Sequence, residues 1–396
     1  MTGSRIKEAA AILRSEMVGR LEKSRALRSP EWKAAALEVP RHVFLPAFYE
    51  DASGPDGMTR YTLKNQDNDC VRWLDLSYQD RTWVTQLDHG RTTPAESAVT
   101  GIPTSSSTLP SVVLGMLEDL DVEVGMKVLE VGTGTGYSTA LLCEYLGDQN
   151  VTSVEYDAEI SALAGERLAS LGYRPRLVAG DGAAGCPEGR PFSRVIATYS
   201  PESVPVSWLE QAAPGAFILV SLVGSWDAYG YVRLEVESPD MAHGRFRNDG
   251  PSFMLSRKIT RPVPGPLLRA AIAARAEARA RTPVIDITLL NHSAFAWAAQ
   301  LHLPGVIRLS LTNDGVTGYW FLHADGSWAV LESGEVGESR VYQGGPRSIW
   351  TELEAVGKQW LAIGRPGMER YGLTVTSGGN TVWLDDPANA VGVLGE

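Results

Sequence analysis

Apolar residues recur at Ile6, Ala10, Leu13, Met17 and Leu21, a spacing that puts them on one face of an opening helix. Ser29-Pro30-Glu31 then reads as an N-cap followed by a first-turn proline, so a second helix starts there and stops before Pro40. From Asp51 to about Ser77 the periodicity lapses, and the polar runs DASGPDG and KNQDND predict loop. A second irregular stretch, DHGRTTPAESAVTGIPTSSST (88–108), leads into a helix that begins near Pro110 and carries Val113, Leu114 and Leu117.

Beyond this point short apolar runs alternate with amphipathic ones. KVLEV, VTSVEY, RLVAG, RVIATY and FILVSLV read as strands; YSTALLCEYL, AEISALAGERLASLG and VSWLEQAA read as the helices between them. That βαβα order predicts an α/β domain with a mostly parallel sheet and helices on both faces. The Pro/Gly cluster at 261–266 predicts a linker, which divides the chain into a domain over 1–260 and a smaller one over 267–396. In the smaller one LLRAAIAARAEARAR predicts a helix. Asp314-Gly315, Asp325-Gly326 and Gly378-Gly379 punctuate short strands, and Ile349, Leu353, Val356 and Trp360 mark a late helix, together an α+β module. Six of the eleven tryptophans fall there, as core or as the wall of a peptide groove. Arg269, Arg275 and Arg279 read as a solvated helix face, with an acidic peptide as the alternative partner.

Charge and composition narrow the partners. A formal net charge of -11 argues against broad binding to nucleic acid or anionic membrane and leaves a small or peptidic partner. Cys70, Cys143 and Cys186 are scattered, which suits a reducing compartment, and the N-terminus has no signal-peptide core, so a cytoplasmic location is expected. The histidines, at 42, 89, 243, 292, 302 and 323, form no metal-like cluster, and no metal is expected. Oligomeric state is not legible.

The chemistry gathers at VLEVGTGTGY (128–137). Gly132, Gly134 and Gly136 are spaced GxGxG around Thr133, where a dinucleotide fingerprint needs GxGxxG, and no Lys-Ser or Lys-Thr follows as in a phosphate loop. Glu130 precedes the first glycine, where a carboxylate can sit near the amino-acid end of a cofactor carrying a sulfonium cation. Glu155, followed by Tyr156, ends the next strand, where an acid takes ribose hydroxyls in doubly wound folds. Asp181-Gly182 ends the third, within reach of an adenine amino group. Acids at three successive strand ends predict S-adenosyl-L-methionine as cofactor and S-adenosyl-L-homocysteine as product.

The sequence also resembles the protein-L-isoaspartate O-methyltransferases. The matching pieces are VPRHVFLPAFYED (39–51), SYQDRTWV (77–84), TSSSTLPSVVLGML (104–117), the glycine loop, SVEYD, VAGDG and SPESVPVSWLEQAAPGAFILVSLVG (200–224). The resemblance implies a class I, Rossmann-like S-adenosylmethionine-dependent methyltransferase with Ser106 as its catalytic serine, beside the cofactor's methyl group and the substrate carboxylate. Thr104, Ser105 and Ser111 would flank it on the cofactor side. The run into Ser106 departs from the family's usual Gly-Gln-Thr-Ile, and extra residues lie around 52–76, around 87–102 and after Pro266. The extended layout resembles relatives that esterify an aspartate of a constrained, ribosomally made precursor peptide, the ester closing to an aspartimide. The expected activity is therefore methyl esterification of an aspartyl or isoaspartyl carboxylate in a peptide or protein. General isoaspartyl repair and small-molecule methylation are the alternatives.

Overall fold

The computed structural model describes residues 3–54, 57–92, 97–313, 315–333 and 339–395. The first helices form as their spacing requires. α1 (Gly3–Lys23) buries Ile6, Ala10, Met17 and Leu21, and α2 (Pro30–Glu38) is capped by the Ser29 hydroxyl, which accepts from the Trp32 amide.

The stretch expected to be loop between Asp51 and Ser77 is regular structure. β1 (Ala47–Ser53) and β2 (Thr59–Asn65) pair antiparallel, and α3 (Gln66–Ser77) follows. Few of the strand residues are buried, Tyr49 and Tyr61 among them, so no apolar alternation announces the hairpin. KNQDND belongs to a helix start: the Asn65 side chain accepts from the Asn68 amide, and the buried Trp73, Leu74 and Leu76 come only afterwards. The second irregular stretch is corrected in the same way. Its end, PTSSS, forms β4 (Pro103–Ser107), antiparallel to β3 (Trp83–Leu87), in a four-stranded sheet of order β2-β1-β3-β4. Part of the rest of that stretch, residues 93–96, lies outside the described residues. α4 (Pro110–Leu120) begins at the expected proline.

The parallel sheet contains β5 (Val128–Val131), β6 (Val151–Glu155), β7 (Arg176–Ala179), β8 (Phe192–Ala197) and β9 (Ala212–Val223). Its order is β7-β6-β5-β8-β9, with every neighbouring pair parallel. α5 (Tyr137–Leu146), α6 (Ala158–Ser170) and α7 (Val206–Gln211) connect the strands. β5 and β6 are buried throughout, as strands covered on both faces must be. The order reverses at β5, and at such a switch point the loops after the strands leave a crevice for a ligand. This is the expected class I, Rossmann-like arrangement.

The chain divides into two compact units. The first gathers Met1–Tyr199, Ser207–Leu219 and Val236–Pro239, and the second gathers Ser200–Val206, Val220–Glu235 and Asp240–Glu396. Most of β10 (Tyr229–Ser238) falls in the second unit, and β11 (Met241–Arg247), β16 (Tyr371–Thr376), β17 (Gly379–Leu384) and β18 (Ala390–Leu394) follow it in the sheet, β11 to β18 pairing antiparallel in that order. A separate antiparallel sheet runs β12 (Ile307–Asn313), β13 (Val316–Leu322), β14 (Trp328–Ser333) and β15 (Ser339–Gly344) in chain order. Of the expected turns, Asp314 lies outside the described residues; Asp325-Gly326 joins β13 to β14, and Gly378-Gly379 joins β16 to β17.

α8 (Pro264–Arg275) starts inside the Pro/Gly cluster and lays Leu267, Leu268 and Ala271 on the second sheet against Trp320 and Trp328. Arg275 pairs with Glu332 and covers the Tyr342 ring, so it is no member of a solvated face. α9 (Ser293–His302) packs on α10 (Ile349–Ala362), the late helix that the spacing predicted. All six tryptophans of this region are buried, which makes them core.

Candidate active site

The glycine loop joins β5 to α5, and its backbone explains its composition. Gly132, Gly134 and Gly136 have φ of +107, +53 and +92, a region open to glycine at little cost. Space limits them as well. A Cβ on Gly132 would lie 2.5 Å from Thr198 Oγ1, and one on Gly136 would press on Ala164 and on Phe44, which comes from the VPRHVF segment.

Glu130 is fully buried beneath this loop and does not present a free oxygen to a ligand. Its carboxylate accepts from Ser138 Oγ (2.5 Å), Thr139 Oγ1 (2.5 Å) and Ser153 Oγ (2.7 Å), and Thr133 Oγ1 lies 2.6 Å from the same Ser153 hydroxyl. Burial raises its pKa above the usual glutamate range, opposed by the three hydroxyls. Glu130 therefore fastens the first turn of α5 and the middle of β6 to β5. Any contact it makes with a ligand passes through that network.

Glu155 closes β6 with two backbone bonds: its side chain accepts from the Gly134 amide (2.9 Å) and from the Asp157 amide (3.1 Å). Tyr156, beside it, is 51% exposed. Asp181 caps the turn at Gly182–Ala184 by accepting from the Ala183 amide. A Cβ on Gly182 would lie 2.4 Å from Val131, and the Gly182 carbonyl accepts from the Trp208 indole (2.8 Å). The carboxyl ends of β5, β6 and β7 thus carry the expected acids, with Glu130 and Glu155 buried and Asp181 partly exposed.

β4 brings the serine run to this loop. Successive side chains of a strand point to opposite faces, so Ser105 and Ser106 cannot serve the same side. Ser105 is buried and its hydroxyl accepts from Thr85 (3.1 Å). Thr104 donates to Gln86 Oε1 (2.8 Å) and accepts from the His89 amide (3.0 Å). Ser106 is half-buried opposite Val84, and its hydroxyl makes no hydrogen bond among the described residues. Its carbonyl lies 3.7 Å from where a Cβ on Gly134 would stand, so the strand passes directly over the loop. Ser111 sits in the first turn of α4, its amide donating to Asp80 (2.8 Å).

Two features were not read as site architecture from sequence. Arg41 is fully buried without a carboxylate: its guanidinium donates to the carbonyls of Ser77 (2.8 Å), Gln79 (3.1 Å), Arg81 (3.1 Å) and Thr108 (3.1 Å). Burial lowers its pKa to about 10. It clamps the turn before β3 to the end of β4, two residues past Ser106. Gln86, which meets Thr104, also reaches Asp157 (3.4 Å) at the start of α6. The signal for Arg41 was its place in VPRHVF; Gln86 had none. No group of three or more His, Cys, Asp or Glu side chains that could hold a metal occurs among the described residues. No helix there is long and apolar enough to cross a membrane.

With this geometry in view, comparison with known proteins gives a consistent result. The sequence profile of the protein-L-isoaspartate(D-aspartate) O-methyltransferase family matches residues 77–231. A protein-L-isoaspartate O-methyltransferase of Aeropyrum pernix is 31% identical over 212 residues, 53% of this chain and 66% of that protein. The enzyme of the same description from Methanococcus vannielii is 30% identical over 205 residues, 51% of this chain and 78% of that protein. A solved structure described as a protein-L-isoaspartate O-methyltransferase superposes with a TM-score of 0.53 at 21% identity, covering 94% of this chain and all of that one. At that coverage the shared fold extends past Pro266, so the last third is not peculiar to this sequence.

Proposed function

This chain belongs to the protein-L-isoaspartate(D-aspartate) O-methyltransferase family of S-adenosylmethionine-dependent methyltransferases, and on that premise we propose that it esterifies an aspartyl or isoaspartyl carboxylate of a peptide or protein. The observation that carries the proposal is the free Ser106 hydroxyl on β4, over the glycine loop, while its neighbours Thr104 and Ser105 are engaged.

S-adenosylmethionine supplies the methyl group. The positive-φ glycines leave room for close backbone approach, Glu155 and Asp181 would take its ribose and adenine ends, and Glu130 keeps the loop in shape. Ser106 donates to one substrate carboxylate oxygen and leaves the other aimed at the methyl carbon. A carboxylate is ionised at neutral pH, so the step needs no general base. His42 is no candidate for one: burial and Arg14 lower its pKa to about 4, and Nδ1 is held by the Tyr78 hydroxyl at 2.7 Å. Orientation and exclusion of water then carry the rate. In the ester, the following backbone nitrogen attacks the carbonyl carbon. The C–N bond forms, the C–O bond breaks, and methoxide leaves with the amide proton as methanol, giving a succinimide.

The substrate we propose is a dedicated, ribosomally made peptide acted on in the cytoplasm, and selected by residues 267–396. Support comes from the hairpin β1–β2, which lies outside the residues that the family profile matches and in the same sheet as Ser106, and from the altered run ahead of that serine. The test is mass spectrometry of two matched peptides, isoaspartyl and aspartyl, incubated with S-adenosylmethionine. Gain of a methyl group followed by loss of methanol from the isoaspartyl peptide makes it a general repair enzyme. Silence on both with S-adenosylhomocysteine binding intact supports a dedicated peptide, and failure to bind S-adenosylhomocysteine removes the proposal.

A further inference from the structure

The second unit contains a cavity of about 280 Å³, close to the lower end of small-molecule pockets, with room for one or two side chains. Its floor is apolar and aromatic, with Trp226, Tyr231, Leu290 and Met368 all buried. Its rim is polar and rich in donors, among them Arg247, Asn248, Asn291, Ser293 and Arg308.

Three observations favour an anion in this cavity. Arg308 is partly buried, its one hydrogen bond goes to the Leu290 carbonyl (2.8 Å), and no carboxylate pairs with it among the described residues. The acid on the wall, Asp227, is already engaged by Arg261 at 2.7 Å. Finally, α9 begins at the rim: its N-cap His292 supplies no side-chain acceptor, so the first-turn amides and the positive end of the helix dipole are uncompensated there. The buried Trp226 on the floor also has an indole N–H without an acceptor among the described residues. Guanidinium and aromatic wall together favour a carboxylate attached to an apolar body.

We propose that this cavity binds a peptide segment in which a carboxylate adjoins an aromatic or aliphatic side chain. The carboxylate meets Arg308 and the start of α9, and the apolar side chain rests against Trp226 and Tyr231. This deepens and rests on the proposed peptide substrate: the second unit holds the substrate by residues other than the one methylated.

The test is calorimetric titration of the full chain, saturated with S-adenosylhomocysteine, with Ac-Phe-Glu-Phe-NH2 and Ac-Phe-Gln-Phe-NH2. The glutamyl peptide is expected to bind at least tenfold more tightly than the glutaminyl one, and Arg308→Gln to remove that preference without changing S-adenosylhomocysteine affinity. If Arg308→Gln lowers the melting temperature, titration of the unaltered chain at high salt makes the same comparison, since screening of the guanidinium should shrink the preference for the glutamyl peptide. Equal affinities, absent binding, or inorganic phosphate binding as tightly as the glutamyl peptide would overturn the proposal. Because titration needs no methyl transfer, tripeptide binding by a chain that does not bind S-adenosylhomocysteine removes the proposed reaction alone, and S-adenosylhomocysteine binding without tripeptide binding removes this site alone.

Discussion

The Glu155 carboxylate accepts a hydrogen bond from the Gly134 amide at 2.9 Å, tying the end of β6 to the crest of the loop after β5. One side chain thus shapes the loop, and under the proposed function it would also take the ribose hydroxyls. Replacing it with alanine removes both. A hydrogen bond to a charged group contributes about 1.5–3 kcal/mol, so Glu155→Ala should weaken S-adenosylhomocysteine about 10- to 100-fold by calorimetry. An affinity within twofold of wild type would mean that Glu155 is structural only.

The loop glycines should differ in tolerance. Gly132→Ala combines a φ of +107 with a Cβ 2.5 Å from Thr198 Oγ1, whereas Gly134→Ala, at φ +53, meets only the Ser106 carbonyl at 3.7 Å. A strained non-glycine residue costs on the order of 1–3 kcal/mol before any clash is counted. Gly132→Ala should therefore be the more destabilised of the two in urea unfolding. The reverse order would contradict the geometry.

His42 predicts a pH effect. Its folded pKa, lowered from 6.5 to about 4 by burial and Arg14, means that the unfolded chain binds the proton more readily. Stability from this group is complete above pH 6.5 and is lost as pH falls through the window down to about 4, by up to about 3 kcal/mol. His42→Gln forfeits the contact with Tyr78 but should flatten the stability curve across that window, as measured by urea unfolding at several pH values.

Arg41→Ala leaves buried carbonyls at Ser77, Gln79, Arg81 and Thr108 without their donor. At about 1–3 kcal/mol for each unsatisfied group, several kcal/mol of stability should go, and the end of β4 should loosen. Arg41→Lys, with a compact ammonium in place of the planar fork, should recover part of the stability and less of the activity. Full activity in the lysine variant would show that the clamp does not position Ser106.

What was legible in the sequence follows from where burial is apolar. The face of α1, the cap of α2 and the strands β5 and β6 declare themselves because Ile, Leu and Val fill them at helical or strand spacing. The β1–β2 hairpin and β4 do not: β4 is Pro-Thr-Ser-Ser-Ser, buried through hydroxyls that bond across the sheet, so it looks like loop. The acids were found because they end strands, yet a position cannot tell a ligand contact from a hub. Glu130 was expected beside the cofactor; its partners Ser138, Thr139 and Ser153 meet it only once the sheet has formed. Arg41 was visible as part of a motif, but its four carbonyl partners belong to two distant segments.

The most direct test of the central claim, that β4 presents Ser106 to the reacting carboxylate, is the Ser106→Ala enzyme assayed on whichever peptide the wild type methylates. Loss of one hydrogen bond to a charged group predicts kcat lower by about 10- to 100-fold, with S-adenosylhomocysteine affinity unchanged. Weakened S-adenosylhomocysteine binding with normal kcat at saturation would contradict it and would put Ser106 on the cofactor instead.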